Sequence, residues 1–207
     1  MERALAPEEL DAKAGHQLVP VLPLQDLCLF PGASLATAVG QPSAYTALEI
    51  ADRTGGTVLA LARREGASGP RDLHAIGTLA IVRQRESVSP VEHRVELDGL
   101  GRVHVAQLVG LDVLVAEVSP LEEGDEGDEW GPAVEALARY LHAHAELREF
   151  LERQRRSSAP MAWVNLACQH LPITPSARQR LLESSAAERC AKISRGLDAL
   201  LRKEQGT

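Results

Sequence analysis

Between Glu122 and Glu129 the chain places six carboxylates and two glycines in eight residues. Such a run cannot bury itself, because its charges would lose water without gaining partners and they repel one another. The tract therefore reads as a linker, residues 122–129, and it splits the 207 residues into two stretches with different textures. A calcium loop is the sharper alternative, but the alternating ligand pattern and terminal glutamate of an EF-hand are absent.

Ahead of the tract the texture is that of strands. Val95 and Leu97 alternate with Glu96 and Asp98, and Val103 and Val105 with Arg102 and His104, the period of half-buried strands. Val58–Ala62 is a short apolar run, and Leu111–Val118 reads as a further strand. One helix is expected from Pro42 to Arg53: proline suits a first turn, Tyr45, Leu48 and Glu49 follow at helical spacing, and Gly55-Gly56 ends it. Residues 66–72 form a loop by composition, and residues 1–17 a flexible polar leader.

Behind the tract the period becomes helical. Val134, Leu137 and Leu141 form a stripe that continues to Leu147, Phe150 and Leu151, predicting one long helix. Ser158 is positioned to cap a second helix with Pro160 in its first turn, and Thr174-Pro175 opens a third. Ser185 and Glu188 have capping-box spacing for a fourth, striped by Cys190, Ile193, Leu197 and Leu200. The class is α+β: a β-rich half, residues 18–121, followed by an all-α half, residues 130–207.

A net charge of −7 argues against nucleic acid as the main partner, since phosphate binding needs a positive field. No apolar stretch reaches the roughly 20 residues that span a bilayer, and the acidic amino terminus lacks the pattern of a secretory signal. Cys28, Cys168 and Cys190 are too few and too scattered for a disulfide framework and are expected as reduced, buried thiols. A cytoplasmic protein is the expectation.

Several ordered segments carry more than texture. They are Leu18–Leu24 with Pro20 and Pro23, Phe30-Pro31-Gly32, Ile76-Gly77-Thr78, and Leu97–Arg102 with Gly99; in the helical half, His170-Leu171-Pro172, Gln179–Glu183 and Glu188-Arg189 follow. Together, from about Leu18 to Leu201, they resemble the amino-terminal, substrate-binding domain of Lon-type ATP-dependent proteases. The resemblance implies a PUA-like β-barrel subdomain followed by a helical bundle. It also implies a non-enzymatic role in which protein or peptide clients are bound, with an ATP-dependent protease or chaperone as a possible partner and self-association possible. Gly77 and Gly99 are expected to adopt backbone shapes closed to other residues, and Arg102 to bury its stem and pair locally.

The engine of such proteases is not legible in these residues. No Gly-Lys pair exists for a phosphate loop, and the three lysines are Lys13, Lys192 and Lys203. Ser194 lies two residues from Lys192 in a predicted helix, where the two side chains diverge. His142 with Glu146 and Cys168 with His170 are too few or too divergent to form a metal or nucleophile site. The expectation is a stand-alone recognition domain with no catalytic residue, cofactor or metal. Leu27, Tyr45, Trp130 and Trp163 are the candidate protein-binding residues, because aromatics and leucines dominate binding hot spots. The alternative is an RNA-binding PUA-like module using Arg83, Arg85, Arg94 and Arg102, offset by Glu86, Glu92, Glu96 and Asp98.

Overall fold

A computed structural model describes residues 17–67, 69–89, 92–110, 113–122, 130–157 and 159–205. Most of the acidic tract, nearly all of the leader, and Ser158 with its expected cap lie outside the described residues.

The strands are β1 Gln17–Leu24, β2 Ser34–Val39, β3 Thr57–Ala62, β4 Ile76–Ser89, β5 Glu92–Val109 and β6 Val115–Pro120. Their order is β2-β5-β4-β3-β1-β6, and β6 pairs again with β5, so five strands close into a barrel with β2 added outside it. Among the described residues only β1 and β3 run parallel, which demands a crossover; it is made by β2 and α1, Pro42–Arg53. Gly55 and Gly56 both take positive φ after α1, and the Gly56 amide returns to the Ala51 carbonyl at 2.7 Å, stopping the helix where expected.

Strands β1 and β3 are buried on both faces. Val19, Val21, Leu59 and Leu61 point into the barrel with Leu79, Val103, Ala116 and Val118. Leu22, Leu24, Val58 and Ala60 point outward into a second cluster. Strand β4 runs eight residues past Ile81. Its far end is exposed and polar, so it carries no apolar alternation, and bulges near Leu79, Val82 and Ser87 bend it out of the barrel. There it forms a lobe with β5 and β2.

The helical half holds α2 Gly131–Ala143, α3 Ala145–Gln154, α4 Pro160–His170, α5 Pro175–Glu183 and α6 Ala186–Gln205. The single long helix expected from Val134 to Leu151 is two, broken at His144 (φ −126, ψ 72). The His144 ring stacks on Tyr140 with centroids 4.0 Å apart, and its Nδ1 lies 2.8 Å from the Tyr140 carbonyl. A side chain thus takes the acceptor that a continuing helix would give to a backbone amide. Helix α4 follows Ala159, with no side-chain cap. The other two starts are as expected: Thr174 accepts from the Ala177 amide, and Ser185 and Glu188 bond reciprocally.

The second cluster is continuous across the two halves. It joins the outer face of β1 and β3, α1, Phe30 and the buried faces of α2, α4, α5 and α6.

Candidate functional site

The segments that carry the sequence resemblance meet at the seam between barrel and helices. Residues 25–33, which leave β1, are stitched to the barrel first. The buried Thr78 hydroxyl donates to the Leu29 carbonyl at 2.6 Å. Gly32 and Gly99 share a 2.9 Å backbone bond, and the Gly99 amide donates to the Ala33 carbonyl at 2.9 Å. A Cβ on Gly99 would sit 2.3 Å from the Phe30 carbonyl oxygen, and one on Gly77 2.6 Å from that of Ala60. Neither glycine has positive φ, so the expected reason for them is corrected: they admit a neighbouring backbone, whereas Gly32, at φ 77, is the one that needs an unusual turn.

The helices reply with buried side-chain polar groups. Gln169 on α4 accepts from the Phe30 amide at 3.0 Å and donates to the Cys28 carbonyl at 2.9 Å, as a strand would. Gln179 on α5 donates to the Ile76 carbonyl at 3.0 Å. Arg102 on β5 donates to the Leu182 and Ser184 carbonyls at 2.8 and 2.7 Å. It is buried as expected, and these two acceptors lie some eighty residues away. Arg189, fully buried on α6, donates to the Leu181 and Ser184 carbonyls and to Asn165. Two guanidiniums thus converge on the negative end of α5, where the last carbonyls have no helical partner.

Lys192 bonds the Ser184 hydroxyl at 2.7 Å, while Ser194 bonds back to the Cys190 carbonyl. Ser184 is almost wholly buried and donates to the Arg180 carbonyl, so no substrate reaches it. Cys28 and Cys168 are pushed up to about 12, chiefly by burial, which makes them inert as nucleophiles. No group of three or more His, Cys, Asp or Glu able to hold a metal occurs among the described residues.

Beside this wiring the seam opens into a groove of about 230 Å³. Gly32, Ala33, Gly99 and Leu100 form its barrel wall, and Ala162 and Leu166 of α4 its helical wall. Asp98 lies at its base. Its side chain is 8% exposed; Oδ1 accepts from the Ser34 hydroxyl at 2.7 Å, and Oδ2 from Arg83 Nε and Arg156 Nη1, each at 2.6 Å. Burial alone would raise the Asp98 carboxyl, but the bonds from Ser34, Arg83 and Arg156 outweigh it and hold the group below its ordinary range. Arg155 lies over the Trp163 ring, 4.9 Å from its centroid, on the groove's rim.

The four candidate residues are not brought together into one patch. Leu27 is half-buried in the 25–33 segment. Tyr45 packs edge-on against His93, 4.8 Å between centroids, beside the end of β2. Trp163 is half-buried under Arg155. Trp130 is 0% exposed, enclosed in the shared core at the start of α2, and is corrected from contact to packing. Sequence reading placed Gln179 in a signature segment and Asp98 among the offsetting acids, but it did not foresee the Asp98–Arg156 pair or the bonds of Gln169 and Gln179 to the barrel, because paired polar groups far apart in sequence leave no periodic trace. Of the arginines an RNA surface would use, Arg102 lies in the interior, Arg83 spends one nitrogen on Asp98, Arg85 lies 3.4 Å from Asp52, and Arg94 stands opposite Glu86.

A family model described as the ATP-dependent protease La (LON) substrate-binding domain matches residues 18–199. The Lon protease of Xanthomonas oryzae pv. oryzae is 30% identical over 198 residues, covering 88% of this chain and 22% of the relative. That of Koribacter versatilis is 34% identical over 109 residues, 51% of this chain. The N-terminal domain of the Mycobacterium avium complex Lon protease superposes with a TM-score of 0.73 at 21% identity, covering 88% of this chain and 98% of that one. A Lon N-terminal domain protein from Xanthomonas campestris gives 0.62 at 20% identity. The chain spans about 22% of the length of the first of these proteases.

Proposed function

The chain belongs to the Lon substrate-binding domain family, and from that premise we propose that it is a non-catalytic protein-binding module. It takes hold of unfolded segments and acts as an adaptor or scaffold, with an ATP-dependent protease or chaperone as its partner. The observation that carries this reading is the domain-wide family match over residues 18–199. A cytoplasmic setting accords with three buried cysteines that form no disulfide; no helix among the described residues is long and apolar enough to cross a membrane.

Two features of the fold suit an extended polypeptide. Strand β2 pairs with β5 on one side and ends the strand order on the other, an edge that can accept an added strand. Tyr45 stands beside it, and the seam groove, whose lining Arg155 lies over Trp163, offers apolar surface for side chains. Leu27, Tyr45 and Trp163 are the proposed contacts; each is half-buried and so able to shed further water.

The test is binding of the full chain to a fluorescent, chemically unfolded polypeptide, with the folded form of the same polypeptide as control. Saturable binding of the unfolded form alone is expected, weakened by Trp163→Ala and Tyr45→Ala. Failure to bind the unfolded form, with a partner captured through no peptide segment, would remove the proposal.

A further inference from the structure

We propose that the seam groove is a carboxylate seat, made for one aspartate or glutamate side chain flanked by apolar residues in an extended segment. The inference deepens the peptide-binding reading above and rests on it.

Charge is the first reason. The chain is acidic, at −7, yet this groove is lined by three guanidiniums, Arg83, Arg155 and Arg156, against one carboxylate, Asp98. Against an acidic background, such a concavity selects for negative charge and concentrates its field. The neighbouring lobe sets Glu86 against Arg94 and carries Glu96, so it offers no continuous positive track for the phosphate backbone of a nucleic acid.

Geometry is the second. Asp98 is saturated by Ser34, Arg83 and Arg156, so it orients two arginines without neutralising both. Those side chains are 58% and 56% exposed, and each spends one nitrogen on Asp98. Their remaining donors have no protein acceptor among the described residues. Arginines already held in place lose little freedom on meeting a second carboxylate, and the planar fork suits that partner.

The walls supply the third reason. Ala33, Ala162, Leu166 and Leu100, the last 43% exposed, can cover the aliphatic stem and apolar neighbours of an acidic residue. Helix α4 opens at the same wall, so its positive end adds to the field.

The experiment uses the full chain and two labelled peptides, acetylated and amidated at their ends, that differ only in a central Leu-Glu-Leu or Leu-Gln-Leu. Anisotropy at low salt is expected to give about tenfold tighter binding of the Glu peptide, the size of one good charge-assisted pair. The advantage should shrink as salt rises. Arg156→Gln should bring the Glu peptide down to the affinity of its Gln twin and leave the twin unchanged. Arg155→Gln should do the same in part, and it keeps the Ser34, Arg83 and Arg156 bonds to Asp98 should the first variant fail to fold. Equal binding of both peptides overturns the seat and leaves peptide binding standing. So does an advantage that survives both substitutions, or a preference for an RNA oligomer that both abolish. Binding of neither peptide removes both readings.

Discussion

The barrel interior and the seam are both buried and both hold apolar clusters, but the seam sets buried polar groups among its apolar side chains. The interior cluster consists of Val, Leu and Ala side chains such as Val21, Leu59, Leu61 and Val118. Buried polar residues gather instead at the seam and the helices behind it: Thr78, Asp98, Arg102, Asn165, Gln169, Gln179, Ser184 and Arg189. An apolar interior accepts many combinations of side chains of the right volume. A polar seam accepts few, because each buried donor or acceptor left alone costs its full desolvation. The barrel therefore supplies stability in a degenerate way, and the seam fixes how helices sit on strands. It is the seam, too, that leaves a groove at the surface.

That contrast is open to test by substitution, most sharply at the helix end. Arg102→Met removes a buried donor from the Leu182 and Ser184 carbonyls. The expected loss is about 3 kcal/mol in urea unfolding. Gly99→Ala comes next. Its Cβ would meet a backbone oxygen at 2.3 Å, and an obstacle of that kind cannot rotate away, so about 2 kcal/mol is expected from the same measurement.

A matched pair of near-isosteric swaps then sets one region against the other. Gln169→Leu leaves the Phe30 amide and Cys28 carbonyl unpaired and is expected to cost about 2 kcal/mol. Leu61→Met, in the barrel interior, is expected to cost less than about 1.5 kcal/mol. Equal losses, or a larger loss in the barrel, would break the contrast.

The smallest effect is at Asp98. Its folded carboxyl lies below the ordinary 3.8, so the unfolded chain binds more protons in acid. The stability from this group is present above the ordinary carboxylate range and is lost as pH falls below 3.8 towards the depressed folded value. Asp98→Asn should flatten that acid limb in thermal scans. At neutral pH it should cost only about 1 kcal/mol, because both arginine partners are more than half exposed and screened.

The same contrast explains what could be read from the chain. Apolar alternation at Val95–Leu97 and Val103–Val105 marks β5 because each residue's environment is written locally. The α1 stop and the caps at Thr174 and Ser185 were legible for the same reason. The break at His144 was not, since a ring bonding the Tyr140 carbonyl leaves the apolar stripe intact on both sides. Nor was the far half of β4, whose residues lie outside the barrel and are largely polar. At the site, glycines 32, 77 and 99 were visible as signature positions, but their purpose emerged only from the backbones that press against Gly77 and Gly99. Asp98 with Arg156, and Gln169 with residues 28–30, are pairings across more than fifty positions that no spacing rule contains.

The seam and the neighbouring β2 edge are the proposed binding surface, with the barrel interior as scaffold. Hydrogen exchange on the full chain, with and without a saturating unfolded polypeptide, tests it directly. The account predicts added protection in β2, residues 34–39, and around the groove at residues 99–100 and 155–163, with β1 and β3 unchanged. Binding that leaves those segments unprotected, or that protects only β1 and β3, would contradict this.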